Sequence, residues 1–293
     1  MTGVNDIISS KGPFNNFYSK KKTETQSSEK EIIYLITNSY NLIFIRIGSS
    51  NKINDLQHFS NNLDKLNRPV ILITSDGDRN VPSSYTRNTI YNILNSNYIK
   101  KWYTQNYDMT IIHPKLKHYP IGFDLHTSNW LIYNDVKKKI DFMVDKRIYS
   151  PTNKRISNKI FTDTHFSFSH PERRYLYNIL KNNEFIHLSP CKKSFTDITN
   201  DYNKYNFVIS PRGNGLDCHR TWELFLAGVI VITKTSSLDN MYINNNLPVV
   251  ILKNWEELND LSIDKINKWY KNNINKTDIN NIFPKLTYKY WIK

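Results

Sequence analysis

The sequence predicts an α/β protein built from two Rossmann-like units. Short β-branched and aliphatic runs alternate with segments whose apolar residues recur at three- and four-residue spacing, the pattern of parallel sheets covered by helices. A length of 293 residues suits two cores of ordinary size better than one. A polar stretch from Leu131 to Ser157, with Lys137-Lys138-Lys139 and Pro151, separates the two runs of alternation. The chain therefore divides into an arm over residues 1–30, a first unit over 31–150, a second over 151–265 and a helical tail over 266–293.

The arm is rich in Lys, Ser, Asn and Thr and shows no sustained period, so it reads as loosely packed, with Lys20-Lys21-Lys22 a solvated run. Ile32–Ile36 and Leu42–Ile45 are apolar runs split by Asn38-Ser39-Tyr40-Asn41, which predicts strand, turn, strand. Ile53, Leu56, Phe59, Leu63 and Leu66 mark an amphipathic helix, and Pro69–Thr74 a buried strand. That strand runs into Ser75-Asp76-Gly77-Asp78-Arg79-Asn80-Val81-Pro82. Asp and Gly are turn residues, so a turn is one reading; paired hard carboxylates for Mg²⁺ or Mn²⁺ are another. Tyr85–Leu94 reads as a helix and Ile99–Asn106 as a strand with an aromatic anchor. His113 is the histidine of interest because an imidazole titrates near neutrality, whereas His118 and His126 form no metal-ligand pattern.

In the second unit, strands are predicted at Lys159–Asp163 and Phe185–Leu188, and helices at Glu172–Lys181 and Phe195–Tyr202. Pro171 suits a first helical turn, and Arg173 lies near that helix's positive end, where it would contact phosphate or simply solvent. The densest information lies between Tyr205 and Thr233. Phe207-Val208-Ile209 is a strand stopped by Ser210-Pro211, and Arg212–Asp217 is a loop with Gly213 and Gly215. Cys218–Ala227 is a helix capped by Gly228, and Val229–Ile232 is the next strand. In such a βαβ unit an anion sits at the strand's carboxyl end against the helix N-terminus. Arg212 and Arg220 add charge there, and Glu223 shares a helix face with Arg220. A diphosphate between the arginines, with Glu223 on ribose hydroxyls, satisfies this set; an ordinary Arg220–Glu223 helix pair is the competing account. Pro248–Leu252 is the last strand, and Asn254 starts a capped helix.

The string SPRGNGLDCHRTWELFLAGVIVITKTSSLDNMY, followed by LPVVILKNWEEL, resembles the donor-binding half of the exostosin-type glycosyltransferases and is similar to the related ribitol xylosyltransferase group. Ser210, Pro211, Gly213, Gly215, Asp217, Arg220, Trp222, Glu223, Gly228 and Trp255 carry the resemblance. It implies a GT-B-like fold, with the two units facing across a cleft and the final helix returning to the first. It implies transfer of a hexosyl or pentosyl group from a nucleoside diphosphate sugar, UDP-linked, to a hydroxyl of a glycan, protein or lipid, with inversion and without a required metal. Ser210, Arg212, Gly213, Asn214, Gly215, Asp217, Arg220, Glu223 and Arg173 would bind the donor. Asp76 or Asp78, or His113, would be the base. Trp102, Asn106 and Asp124, with Gln105, would meet the acceptor. An Asp-x-Asp metal clamp, as in the GT-A fold, fits less well, because the donor features follow some 135 residues later in their own βαβ unit.

The net charge of +14 raises a nucleic-acid reading, but only ten of the 40 basic residues are Arg. Lys accompanies abundant Asn, Ile and Tyr, all with AT-rich codons, so a specific nucleic-acid role is not expected and an AT-rich microbial or viral source is. No run approaches eighteen apolar residues and the N-terminus lacks an apolar signal core, so a soluble cytoplasmic protein is expected, unlike the Golgi-anchored members of the resembled family. Cys191 and Cys218 alone make neither a disulfide framework nor a zinc site.

Overall fold

The computed structural model describes residues 6–9, 27–38, 41–48, 54–124 and 136–293. It contains the two predicted Rossmann-like units. The first sheet is parallel throughout, in the order β1 (Leu42–Gly48), β2 (Val70–Gly77), β3 (Ile99–Thr104) and β4 (Leu116–His118). Helices α1 (Glu29–Asn38), α2 (Asp55–Asn61) and α3 (Arg87–Asn95) pack on it. The strands read as apolar runs because both faces are covered, which leaves no solvent side to demand alternation. Ile43, Ile45, Leu72, Ile99 and Trp102 accordingly join residues of all three helices in one core.

Residues Ile32–Ile36 correct the sequence reading: they belong to α1 and not to a strand. Ile32 and Ile36, one turn apart, are fully buried, while Tyr34 between them is exposed. The start is a capping box. Ser28 Oγ accepts from Glu31 N (3.3 Å), and Glu31 Oε2 accepts from Ser28 N (2.6 Å).

The second sheet is also parallel, in the order β6-β5-β7-β8-β9, with β5 (Ile156–Thr162), β6 (Ile186–Leu188), β7 (Tyr205–Ile209), β8 (Ile230–Lys234) and β9 (Val249–Leu252). The polar stretch after residue 135 forms α4 (Val136–Tyr149), whose Ile140, Met143 and Val144 are buried in the second unit's core. Next come α5 (Pro171–Leu180), α6 (Phe195–Tyr202), α7 (His219–Leu226), α8 (Asp239–Asn244) and α9 (Ile263–Asn273).

Helix α7 ends as its sequence dictates. Gly228 takes φ +72°, and the Gly228 and Val229 N–H groups donate to Phe225 O (3.0 Å) and Leu224 O (3.1 Å) in a Schellman turn. Two arginines finish the cap. Arg147 donates to Leu226 O (3.0 Å), while Arg155 donates to Ala227 O (2.9 Å) and Gly228 O (3.1 Å), placing positive charge at the helix's negative end.

Both chain ends join the units. The tail returns to the first sheet, where Tyr103 Oη donates to Lys293 O (3.0 Å), and Trp291 packs edge-on against Trp222 of α7. Residues 6–9 are packed, against the expectation for the arm. Ile7 and Ile8 are buried, Ile7 bridges to Thr287 and Ser9 to Phe123. An apolar pair between polar neighbours found partners supplied by distant chain, which local composition does not reveal. Residues 10–26, with Lys20-Lys21-Lys22, and the Leu131–Asp135 part of the polar stretch lie outside the described residues.

Candidate active site in the cleft

All strands of a parallel sheet point their carboxyl ends the same way, and here both sets of ends meet at the cleft. β2 delivers Asp78 and Asn80, β3 delivers Asn106 and β4 leads to Ile121–Asp124; opposite them, β5 delivers Asp163, β7 Ser210 and β8 Lys234. The loop between β7 and α7 crosses the cleft to touch the first unit. Asp217 N donates to Asn106 Oδ1 (2.9 Å), and Asn214 Nδ2 donates to Asp78 Oδ2 (3.5 Å). Gly215 is glycine because a Cβ would sit 2.7 Å from Asn106 Nδ2. The loop leaves a cavity on either flank.

The larger cavity, about 650 Å³, holds Gly213, Asn214, Gly215, Asp217, Arg220, Glu223 and Arg173, with Asp78 and Asp124 facing them from the first unit. Arg220 and Glu223 share this space, yet each pairs elsewhere, so the ordinary helix pair is not what forms. Arg220 Nη2 donates to Asp163 Oδ2 and Nε to Tyr202 Oη, both at 3.3 Å. Arg220 Nη1 and Asp163 Oδ1 are buried with no hydrogen-bond partner in the protein. Burial works against the guanidinium charge, but the Asp163 carboxylate more than offsets it and holds Arg220 protonated. Arg173 is buried and spends its Nε on Arg212 O (2.8 Å) and its Nη1 on Ser167 O (3.1 Å), so it shapes the loop as well as charging the cavity.

Glu223 forms a buried ion pair with Lys139 of α4, which also donates to Asp124 O (2.9 Å). Lys139 is completely buried. Its run of three lysines suggests a solvated face, but Lys139, Met143 and Arg147 recur every fourth residue on the inner face of α4. That spacing was the available signal.

Asp217 organises the helix start. Its carboxylate accepts from Ile121 N (2.8 Å), Cys218 N (2.9 Å), Trp222 Nε1 (2.9 Å) and the Tyr242 hydroxyl. Burial pushes its pKa up to about 6 against those donors, so it is ionised at neutral pH. Asp217→Asn turns an amide NH₂ toward backbone and indole N–H groups that can only donate. It is expected to cost about 1–3 kcal/mol, measured by urea unfolding at pH 7; unchanged stability would contradict this role.

The remaining predicted residues separate. Asp76 is buried in an ion pair with Arg46 (2.7 Å) at φ 62° and, unlike Asp78, lines neither cavity. His113 precedes β4, at the amino end of the sheet, accepts from Lys115 N (3.2 Å) and lines neither cavity. Trp102 is core, its indole donating to Thr74 Oγ1 (2.8 Å). Gln105 and Asn106 are buried and bond the Gly77 carbonyl, making them ties between strands and units. Ser210 and Arg212 line the smaller cavity, on the far side of the loop from Arg220. Arg212 Nη2 folds onto Asn214 O (2.8 Å), so the two arginines do not flank one site. The sequence reading also missed Asp163 and Tyr202, which orient Arg220. Among the described residues no helix is long and apolar enough to cross a membrane.

No protein-family model and no curated protein matches the chain. Among solved structures it is similar to a glycosyltransferase from Rickettsia africae ESF-5, at 15% identity and TM-score 0.44, over 89% of this chain and 77% of that one. It is also similar to WaaG, a glycosyltransferase involved in lipopolysaccharide biosynthesis, at 8% identity and TM-score 0.32, over 84% of this chain and 96% of that one.

Proposed function

We propose that the protein is a glycosyltransferase of the exostosin-like kind, moving a hexosyl or pentosyl group from a nucleoside diphosphate sugar to an acceptor hydroxyl. One observation carries this reading. Arg220, whose Nη1 is buried and unpartnered, lines a cavity of ligand size together with Arg173, Lys192 and the glycine loop. A diphosphate supplies the acceptors that this arginine lacks.

In the reaction the bond between the anomeric carbon and the diphosphate oxygen breaks while the acceptor oxygen bonds to that carbon. Arg220 and Arg173 stabilise the charge that develops on the leaving diphosphate, and they are in place before reaction begins. Glu223, held by Lys139, is positioned to take the ribose hydroxyls. Asp78, which lines the cavity from the first unit, accepts the acceptor's proton in this reading. Asp76, paired with Arg46, and His113, bonded to Lys115 N, line neither cavity and are not proposed for that role. UDP as the nucleotide and inversion at the anomeric carbon follow from the motif resemblance. Metal independence follows from it too.

The test is UDP release from a panel of UDP-sugars with candidate acceptors. Asp78→Asn is expected to lower kcat at least ~100-fold, the usual size of a general-base effect, while UDP affinity changes little. Turnover is expected to persist in EDTA. Full activity of Asp78→Asn would remove Asp78 as the base.

A further inference from the structure

The smaller cavity, about 310 Å³, lies on the other flank of the loop and has no part in the chemistry above. We propose that it binds the acceptor and that the acceptor is a neutral carbohydrate. This rests on the transferase reading and names its substrate class.

Both units build this cavity, with Asn80 and Asp108 from the first and Ser210, Thr221, Lys234 and Ser236 among its walls from the second. Its charges cancel. Lys234 and Arg212 stand against Glu172 and Asp108, Lys234 is ion-paired with Glu172 at 2.5 Å, and Arg212 is folded onto its own loop. A phosphate or carboxylate ligand therefore finds no net attraction here, in contrast to the unpartnered guanidinium nitrogen on the other flank. Hydroxyls dominate the remaining polar lining: Ser210, Thr221, Thr233, Thr235, Ser236 and Ser237.

Asn80 Oδ1 is buried and has no hydrogen-bond partner in the protein. A buried amide oxygen without a donor is costly, and a ligand O–H group would supply that donor. The volume suits a small ligand at the lower end of ordinary binding pockets. The cavities adjoin. Cys218 lines both, and Asn80 in one stands two residues from Asp78 in the other. A sugar held by Asn80 thus lies next to the carboxylate proposed to deprotonate it.

The test is saturation-transfer NMR of the full chain with a panel of methyl glycosides, alongside calorimetry with UDP. The variants are Asn80→Ala, which removes the amide, and Ser236→Trp, which fills the cavity. At least one glycoside is expected to bind saturably to wild type and to weaken tenfold or more in both variants, with UDP affinity held within about twofold. Glycoside binding that survives both variants overturns the proposal. So does an equal loss of UDP binding, which would assign the cavity to the donor. UDP binding with no glycoside bound overturns the acceptor site but leaves the transferase reading standing. Glycoside binding at this cavity without any nucleoside diphosphate bound supports the sugar site and removes the donor reading.

Discussion

Arg220→Ala is expected to weaken nucleoside diphosphate binding by about 30- to 200-fold, equivalent to about 2–3 kcal/mol. The range sits at the low end for truncated charge pairs because the Arg220 and Asp163 side chains keep 19% and 16% of their exposure, and water screens part of the interaction. Arg220→Lys keeps the charge but loses the planar fork that reaches Asp163, Tyr202 and the ligand together, so a loss of roughly tenfold is expected. Calorimetry reads both. The truncation leaves the Asp163 carboxylate without its cation, so the double variant Arg220→Ala/Asp163→Asn is needed as a control. It is expected to regain stability without regaining affinity.

Lys139→Met is expected to be the most destabilising single change near the site. It strands the Glu223 carboxylate, whose side chain is only 11% exposed, without its partner. Breaking such a pair from one side costs about 3–5 kcal/mol, a fall in Tm of roughly 6–20 °C for a chain of this size. Lys139→Met/Glu223→Gln removes both charges and is expected to recover most of that loss. Thermal unfolding of the two variants decides it: equal Tm values would show that Glu223 does not depend on Lys139.

The same pair explains why the sequence revealed the architecture better than the chemistry. The strand, loop and helix around Gly213, Arg220 and Gly228 were legible because each is set by neighbours in the chain: a proline that stops a strand, glycines that permit a tight loop, and a positive-φ residue that ends a helix. Partner choice is not local. Arg220 and Glu223 stand one turn apart, yet Asp163 and Lys139, from distant elements, take them. Trp102, Asn106 and Asp76 have residue types that suit a sugar site, and only the packing of strands shows that they serve the core and the joint between units. Ile32–Ile36 departs from its predicted strand for the opposite reason. A continuous apolar run satisfies either period, and the Ser28–Glu31 capping box just ahead of it was the deciding local signal.

The most direct test of the central claim is calorimetric titration of the wild-type protein with UDP, GDP, ADP and a single-stranded DNA oligomer at low and high salt. The account predicts saturable binding of one nucleoside diphosphate that is weakened by Arg220→Ala, with DNA binding weak and lost as salt rises. Absence of binding to every nucleoside diphosphate, together with tight DNA binding indifferent to Arg220, would contradict it.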